Sequence, residues 1–439
     1  MTSASFSTRH FFSKWDFNMK RLLLLLFFIL QIKSEAYAKP YLPQNDSQII
    51  ERLSTKLGGN PSTEVRKLRN EITKNPKDLK LALSVAKRFI ELGRIESDPR
   101  YLGYAESVIS NWLKIKDPLP EVLVLHATIR QSNHDFDGAL EDLDKALKED
   151  ETNSQGWLTK ATILQTQGKY MEAKRSCIPL LRLSDELTTI SCISSPASLN
   201  GDALKSYNIL KSVVEKSKDF PIQERLWAIT ILAEIAARRG EDKLAEKHFK
   251  EALSIGLYDN YVLSAYSDFL LSKDRAKEVV SLLSDKTRID NLLLRLALAE
   301  RSFTVGPVAF RYPPELRHKV PRSGRLPSGA THSEGRNNIL DQHIKELQSR
   351  FLASHLRGDT VHQREEAIFE LKLKNNSKKA LELARKNWEV QKEPLDAKIF
   401  LQSAIACGDK TSAKQVIEFI EKNKLEDVEI NELIKKIKL

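Results

Sequence analysis

The chain has few of the residues that punctuate loops, with 16 Gly and 16 Pro among 439 residues. Loop-rich β architectures need more turn residues than this, so we expect a mostly helical protein. Three cysteines are too few for a disulfide-rich scaffold or a zinc site of four thiolates. Hydrophobic residues make up 41% and charged residues 29%, which argues against wholesale disorder and against a polytopic membrane protein.

Common catalytic and cofactor motifs are absent as well. The sequence contains no G-x-x-x-x-G-K-[ST] loop, no G-x-G-x-x-G, no H-E-x-x-H, no G-x-S-x-G and no C-x-x-C. The sequence therefore predicts a protein that is not an enzyme, with no catalytic residue, no cofactor and no metal ligand.

One polar segment, residues 354–366, supports the alternative prediction of an enzyme or metal site. Its possible ligands are His355, His362 and Glu365. Gly358 indicates a turn between the two histidines, so the ligand geometry is not preset. A charged turn followed by a helix with acidic residues in its first turn explains the same segment without any chemistry.

The net charge of +11 is concentrated in two segments. Residues 1–38 carry +3 and residues 303–337 carry +4, which leaves +4 for the more than 360 other residues. A nucleic-acid-binding surface needs a concentrated basic stripe. We therefore expect no nucleic-acid partner, with binding of nucleic acid through residues 303–337 as a further alternative.

The N-terminal residues have the three parts of an export signal. A basic start at residues 19–21 precedes an unbroken apolar run over residues 22–30, and Ala-Tyr-Ala at residues 36–38 is a small-x-small cleavage site. The apolar run is too short for a stable membrane-spanning helix, which needs ~20 residues. We expect a periplasmic or secreted protein that is cleaved after Ala38.

Two alternatives at the N-terminus stay open. Translation starts at Met1 or at Met19, since the 18 residues before Met19 are not needed for the signal. An uncleaved signal would act as an anchor, and it is the only membrane contact that we expect.

Export also places Cys177 and Cys192, on adjacent predicted helices, in an oxidising compartment. They either pair or are two small buried apolar residues.

Small residues recur every 34 positions along the chain. Ala105, Ala139 and Ala173 are 34 residues apart, and so are Ala245 and Val279. Two antiparallel helices approach closely only where one side chain is small. Larger apolar residues three or four positions away then fill the groove between the helices. The period therefore predicts a series of paired helices.

This pattern resembles the tetratricopeptide repeat, which has a 34-residue period. The best match to the repeat contains Trp157, Ala161, Gly168, Tyr170 and Ala173. The resemblance covers about residues 75–425 and implies an all-α, right-handed solenoid of about nine helix-turn-helix repeats. The second-best match consists of Ala233, Gly240, Ala245, Phe249 and Ala252.

The repeat register gives the expected domain organisation. A signal peptide at 1–38 precedes a linker and first helix at 39–74, repeats at 75–302, a flexible basic insertion rich in Pro and Gly at 303–337, repeats at 338–425 and a capping helix at 426–439. The predicted helical pairs are 77–112, 119–149, 155–183, 187–217, 223–254, 259–285, 289–302 with 338–356, 362–391 and 395–423. The insertion has two interpretations. It is a basic arm that contacts an acidic partner or a membrane surface, or it is a neutral loop without a role. A neutral loop is tolerated because a longer loop adds little to the free energy of loop closure.

The resemblance also implies a binding surface. In tetratricopeptide-like superhelices the first helix of each pair lines a concave groove, where the family binds peptides or partner proteins. Mixed amides, hydroxyls and charges in such a groove suit an extended peptide backbone. Trp227 is either an exposed aromatic anchor in this groove or a packing residue. The groove candidates are Lys87, Thr128, Gln131, Thr162, Gln165, Trp227, Thr230, Glu234, Arg238, Tyr261 and Asp268.

These observations predict a non-enzymatic, exported scaffold that binds a peptide or partner protein in the concave groove. The alternative within the same class is a subunit of an envelope-assembly or secretion complex, which would use its convex face or its termini.

Overall fold

The structure, a computed structural model, describes Asn45 and residues 61–216, 219–257, 259–304, 332–357 and 361–438. The regular secondary structure of these residues is helical, without a β-strand. The fold is an all-α helical repeat solenoid, which confirms the predicted fold class. One compact unit comprises residues 49–355 and 359–439. In the other unit, Met1–Gln48 with Leu356–Gly358, the described residues are Asn45, Leu356 and Arg357.

The helices follow one another in antiparallel pairs, preceded by α1 and followed by the single C-terminal helix α21. The observed helices agree with the predicted pairs to within a few residues. Their bounds are α1 Pro61–Lys74, α2 Leu79–Glu96, α3 Arg100–Leu113, α4 Pro120–Ser132, α5 Phe136–Glu149, α6 Ser154–Thr166, α7 Tyr170–Cys177, α8 Leu180–Leu183, α9 Glu186–Ser198, α10 Ala203–Lys216, α11 Ile222–Arg238, α12 Asp242–Ser254, α13 Asn260–Ser272, α14 Ala276–Leu283, α15 Asp290–Thr304, α16 His332–Arg357, α17 Gln363–Lys372, α18 Ser377–Val390, α19 Pro394–Cys407, α20 Lys410–Asn423 and α21 Val428–Lys438.

Short polar side chains fix where many of these helices begin. Asp185, for example, accepts a hydrogen bond from the backbone N–H of Thr188 at 2.8 Å, which satisfies one of the free donors of the first turn of α9. The same cap is made by Asp78, Asp135, Asn153, Asp259, Asn376 and Asp409.

In pairs two to six, eight and nine, the turn contains a residue with positive φ, and these residues are 33 or 34 positions apart, except between Gly201 and Gly240 and across pair seven, whose turn lies outside the described residues. The corresponding residue of the first pair is Ser97, 37 positions before His134. A left-handed residue ends the first helix of a pair and lets the chain reverse direction. The repeat seen in the sequence is therefore a repeat of the backbone as well. The turn residues are His134, Gly168, Gly201, Gly240, Asp274, Asn375 and Gly408.

The hydrophobic core runs from pair to pair. The small residues of the 34-residue series, Ala105, Ala139 and Ala173, are fully buried where two helices approach. Large side chains such as Phe89, Phe249 and Phe400 fill the space beside such contacts. Each pair thus buries its apolar face against its neighbours, as expected for a solenoid.

The predicted insertion lies between α15 and α16. These helices are antiparallel partners, because the imidazole Nδ1 of His343 is 2.8 Å from Glu300 Oε2 and Arg350 Nη1 is 2.7 Å from Asp290 Oδ1. The start of α16 at His332 corrects the prediction that residues up to 337 form part of the loop. Once a helix is fixed by packing, each further residue adds a hydrogen bond without a new nucleation cost. Residues 305–331 and the predicted signal peptide lie outside the described residues.

Distant pairs also contact each other across one turn of the superhelix. The backbone N–H of Lys392, after α18, donates to the carbonyl of Thr166 at 2.8 Å, and the Tyr170 hydroxyl donates to the carbonyl of Lys392 at 2.9 Å. Glu426 accepts from the backbone N–H of Ala203 at 3.3 Å. Pairs eight and nine and α21 therefore pack onto pairs three to five.

Cys177 and Cys192 form a disulfide, with Cα atoms 5.7 Å apart. The bond joins the end of α7 to α9 and so ties pair three to pair four. Both cysteines are buried, and Trp227 packs against the same hydrophobic cluster. Of the two alternatives for these cysteines, the structure has the paired one.

Candidate functional site

A partly enclosed cavity of about 510 Å3 lies on the concave side of the superhelix. The first helices of pairs three to nine line it, and Asp427, just before α21, and Glu429, in its first turn, complete the wall. The space is enclosed because the C-terminal pairs pack onto the turns of pairs three to five. The groove implied by the repeat is therefore a pocket along this part of the chain.

Some of the predicted groove residues meet at this cavity. Glu234 and Arg238 are one turn apart on α11, and Tyr261 and Asp268 are two turns apart on α13. Gln165 lines the cavity from α6. The structure thus brings these five side chains together around one space, and their role in binding stays a prediction.

Thr128 and Thr230 correct the predicted site. Both are buried, and each hydroxyl donates to the carbonyl of the residue four positions earlier, at 3.0 Å to Val124 and 2.7 Å to Leu226. The stacked first helices cover these positions, and each hydroxyl makes its hydrogen bond to a backbone carbonyl of its own helix. Neither side chain is accessible to a partner.

The remaining four predicted groove residues do not line the cavity. Lys87 and Thr162 are exposed, and Gln131 is half-buried. Trp227 is half-buried and packs against the hydrophobic clusters around α9 and α11, so the structure supports the packing interpretation of this residue.

The cavity also contains charged residues that the sequence analysis missed. They lie on the first helices of pairs seven to nine and next to α21. The signal that would have found them is the same repeat register, continued past the sixth pair. They are Arg295, Arg364, Glu365, Lys372, Glu393, Lys398, Asp427 and Glu429.

Arg364 is the centre of the largest charged cluster in the wall. Its Nη1 is 2.7 Å from Glu393 Oε2 and 3.4 Å from Asp396 Oδ1, and its Nε is 3.3 Å from Glu365 Oε1. Asp396 also accepts from the backbone N–H of Glu393 at 2.8 Å and from Asn387 Nδ2 at 2.7 Å. These contacts join the start of α19 to α17 on this side of the cavity.

Two carboxylates of the cavity have opposite electrostatic environments. Burial alone would raise the pKa of Glu365, but the cations of Arg364 and Arg295 outweigh it and lower that pKa to about 2. Burial raises the pKa of Glu234, despite a hydrogen bond from the Tyr261 hydroxyl at 2.5 Å. The difference arises because Glu365 forms an ion pair with Arg364, whereas Glu234 is hydrogen-bonded to the neutral Tyr261 hydroxyl and the charge of Arg238 offsets only part of the effect of burial.

Tyr261 lines the cavity beside Glu234 and keeps 57% of its surface exposed to solvent. Glu234 raises the pKa of Tyr261 well above the ordinary value of 10.0 by charge repulsion of the phenolate, and burial adds to this effect. The Tyr261 hydroxyl therefore stays protonated and acts as a hydrogen-bond donor in the cavity.

Two of the three residues of the alternative metal site, His355 and Glu365, have partners of their own. His355 Nε2 is 2.8 Å from Glu366 Oε2, and Glu365 pairs with Arg364. No group of three His, Cys, Asp or Glu side chains that would suit a metal ion occurs in the described part of the chain. His362 precedes α17 and makes no side-chain cap to it.

A search of the described helices for one both long and apolar enough to cross a membrane finds none. The apolar run at residues 22–30 lies outside these residues.

Comparison with known proteins gives structural likeness only. No protein-family model and no curated protein matches the chain. The crystal structure of the APC/C hetero-tetramer Cut9-Hcn1 is similar with a TM-score of 0.45 and 12% identity, over 82% of this chain and 63% of that chain. The present chain thus spans less than two thirds of that protein.

Two further solved structures have comparable likeness. A Rap protein complexed with Competence and Sporulation Factor has a TM-score of 0.42 and 12% identity, over 82% of this chain and 99% of that one. A monomeric mutant of IFIT1 with Gppp-AAAA has a TM-score of 0.40 and 16% identity, over 85% of each chain. At these scores and identities nothing about the ligand of the present chain follows from theirs.

Proposed function

We propose that this protein is a non-enzymatic, exported scaffold that binds a short peptide segment of a partner protein in its central cavity. The observation that carries the proposal is the cavity itself. Its volume of about 510 Å3 lies within the ~300–1,000 Å3 that is usual for ligand pockets, so it accommodates a few residues and not a folded domain.

The lining chemistry supports a peptide occupant. Ser195, Gln165 and Gln402 line the cavity beside the charged side chains, and these groups suit backbone amides and carbonyls. Apolar side chains such as Leu298 and Ile368 lie between them. A mixed wall of this kind binds a backbone without requiring one sign of charge.

The site is tested by filling the cavity. Ala265 lines the cavity on α13, and an Ala265→Trp substitution places an indole in it. We expect this variant to lose binding to a library of short soluble peptides, measured by fluorescence anisotropy with the purified chain. Ala406→Trp on α19 is the matched control, because Ala406 is exposed and outside the cavity. Equal peptide binding by both variants would exclude the cavity as the binding site.

Export is the second part of the proposal. The N-terminal signal supports it, and the disulfide between Cys177 and Cys192 is typical of proteins in oxidising compartments. Mass spectrometry of the native protein tests the cleavage site. We expect a mature chain that begins at Lys39, and a chain that begins upstream of it would refute cleavage after Ala38.

A second candidate is an envelope-assembly or secretion-complex subunit that binds through its outer surface. Exposed apolar side chains around α7 and α8 favour it, with Ile178 exposed to 54% and Leu181 to 63%. A Leu181→Glu substitution would then release the protein from its native complex on size-exclusion chromatography, and Ala265→Trp would not. Under the cavity proposal, Ala265→Trp would release the protein from its complex and Leu181→Glu would not.

A further inference from the structure

Six carboxylates line the cavity, and five of them have a cationic partner. Glu365 and Glu393 pair with Arg364, and Asp268 pairs with Arg295. Asp427 and Glu429 both pair with Lys398, at 3.2 and 3.0 Å. Glu234 is the exception, because it makes no ion pair within the part of the chain that the structure describes.

The lack of a partner is unusual, because a suitable cation is one turn away. Arg238 follows Glu234 by four residues on α11, the spacing and order that favour an ion pair on a helix. The two side chains are held apart instead. Glu234 Oε1 accepts from Tyr261, while Arg238 Nη2 donates to Ser198 Oγ at 2.8 Å.

The cavity therefore presents a carboxylate, that of Glu234, which has no ion-pair partner among the described residues and one oxygen not engaged by Tyr261. We propose that the cavity binds the protonated primary amine of a peptide, with the Glu234 carboxylate as its counter-ion. This inference depends on the proposed function, since it specifies which chemical group of a peptide occupies the cavity.

The geometry favours an ammonium over other cations. A guanidinium binds best when both oxygens of a carboxylate are free, and Tyr261 already occupies Oε1 of Glu234. An ammonium is a compact charge that needs only one free oxygen. A metal ion needs several acidic or imidazole ligands, and the described residues contain no such group.

The amine comes either from the amino terminus of a peptide or from a lysine side chain, and four probes distinguish the two. The first is tetra-alanine amide with a free amino terminus, and the second is the same peptide acetylated. The third and fourth are acetylated peptides with lysine or norleucine at the second position. Isothermal titration calorimetry with the purified full-length chain measures their affinities. We expect the first or third probe to bind at least about tenfold more tightly than its amine-free counterpart. A tenfold difference in affinity is the size expected from one modest charge interaction.

Glu234→Gln keeps the acceptor for Tyr261 and removes only the charge. We expect it to abolish the advantage of the amine-bearing probe and to leave the affinity of the amine-free probes unchanged. Glu141→Gln on α5 is the matched control, because Glu141 is exposed and outside the cavity. A thermal melt of each variant confirms that it is folded.

The outcomes separate this inference from the proposed function. If Ala265→Trp abolishes peptide binding and acetylation has no effect on it, the cavity is a peptide site without an amine subsite, and the inference is overturned alone. If neither amine-bearing probe binds at millimolar concentration, the inference is also overturned. The proposed function fails separately, when the peptide library binds equally to Ala265→Trp and to Ala406→Trp.

Discussion

Gly168 packs so closely against Phe419 that a Cβ at position 168 would be 2.6 Å from Cζ of the ring. Gly168 is the left-handed residue in the turn of pair three, with φ of 77°, and Phe419 belongs to the second helix of pair nine. The Phe419 ring also meets Tyr170 edge to face, with ring centroids 5.9 Å apart. The closure of the cavity therefore depends on the absence of a side chain at residue 168.

Gly168→Ala tests this contact. The substitution adds a Cβ to a residue whose backbone is in the left-handed conformation, which costs about 1–2 kcal/mol. It also displaces the Phe419 ring. We expect the free energy of unfolding from urea denaturation to fall by about 1 kcal/mol more than the backbone cost alone. The cavity should also open, with faster amide hydrogen exchange around Lys392.

Gly408→Ala is the control for the backbone cost. Gly408 has φ of 67°, and a Cβ there has no heavy atom within 4 Å. Equal destabilisation by the two substitutions would mean that the contact with Phe419 contributes nothing. The double variant Gly168→Ala with Phe419→Ala should lose less stability than the sum of the two single substitutions, since the two residues are coupled.

The paired helices were predictable because their cause is local. The period of Ala105, Ala139 and Ala173 places a small residue wherever two helices cross, and the capping aspartates mark where helices begin. Gly168 was recognised as part of the repeat as well. Its contact with Phe419 was not, because nothing local encodes which distant pair returns to pack on a given turn.

The candidate site was predictable in part for the same reason. Glu234 and Tyr261 follow from the register of the first helices, and the structure brings them to one cavity. Thr128 has the same register and is buried, since its exposure depends on how tightly neighbouring helices stack. The hydrogen bond between Glu234 and Tyr261 depends on the twist from one pair to the next, which the sequence pattern does not specify.

Tyr261→Phe removes the only hydrogen bond that Glu234 receives from a side chain among the described residues. We expect a loss of about 1 kcal/mol in the free energy of unfolding, because a hydrogen bond to a partly solvated carboxylate is worth about this much. Tyr104→Phe is the control, since Tyr104 packs on Phe89 through its ring and its hydroxyl makes no hydrogen bond within the described chain. Equal stability of Tyr261→Phe and the wild type would show that the bond is not stabilising.

The ion pair between Glu246 and Arg275 makes stability depend on pH in the acid range. Arg275 donates to both carboxylate oxygens of Glu246 at 2.8 Å, and Lys250 is 2.7 Å from Oε1. Hydrogen bonds from Arg275 and then Lys250 lower the pKa of Glu246 from its ordinary 4.5 to about 2. A lowered folded-state pKa means that this stabilisation is present above pH 4.5 and is lost as the pH falls from 4.5 through about 2.

Glu246→Gln should therefore be less stable than the wild type by about 1 kcal/mol at pH 7, the upper range for exposed ion pairs. The difference should shrink below pH 4.5 and vanish only below about pH 2. Urea denaturation at several pH values measures it, with Glu141→Gln as the control, because Glu141 is exposed and makes no ion pair in the described part of the chain. A difference between Glu246→Gln and the wild type that is constant from pH 7 to pH 2 would contradict the assignment.

The disulfide should stabilise pairs three and four by restricting the unfolded chain. Cys177 and Cys192 are 15 residues apart. A disulfide that closes a loop of this size stabilises the folded state by about 3 kcal/mol. We expect Cys177→Ser with Cys192→Ser to lower the melting temperature by several degrees, and a reductant to have no further effect on that variant. Cys407→Ser should leave the response of the protein to reductant unchanged, because Cys407 is not in a disulfide. If a reductant left the melting temperature of the wild type unaltered, the cross-link would not contribute to stability, and one support for an oxidising compartment would be lost.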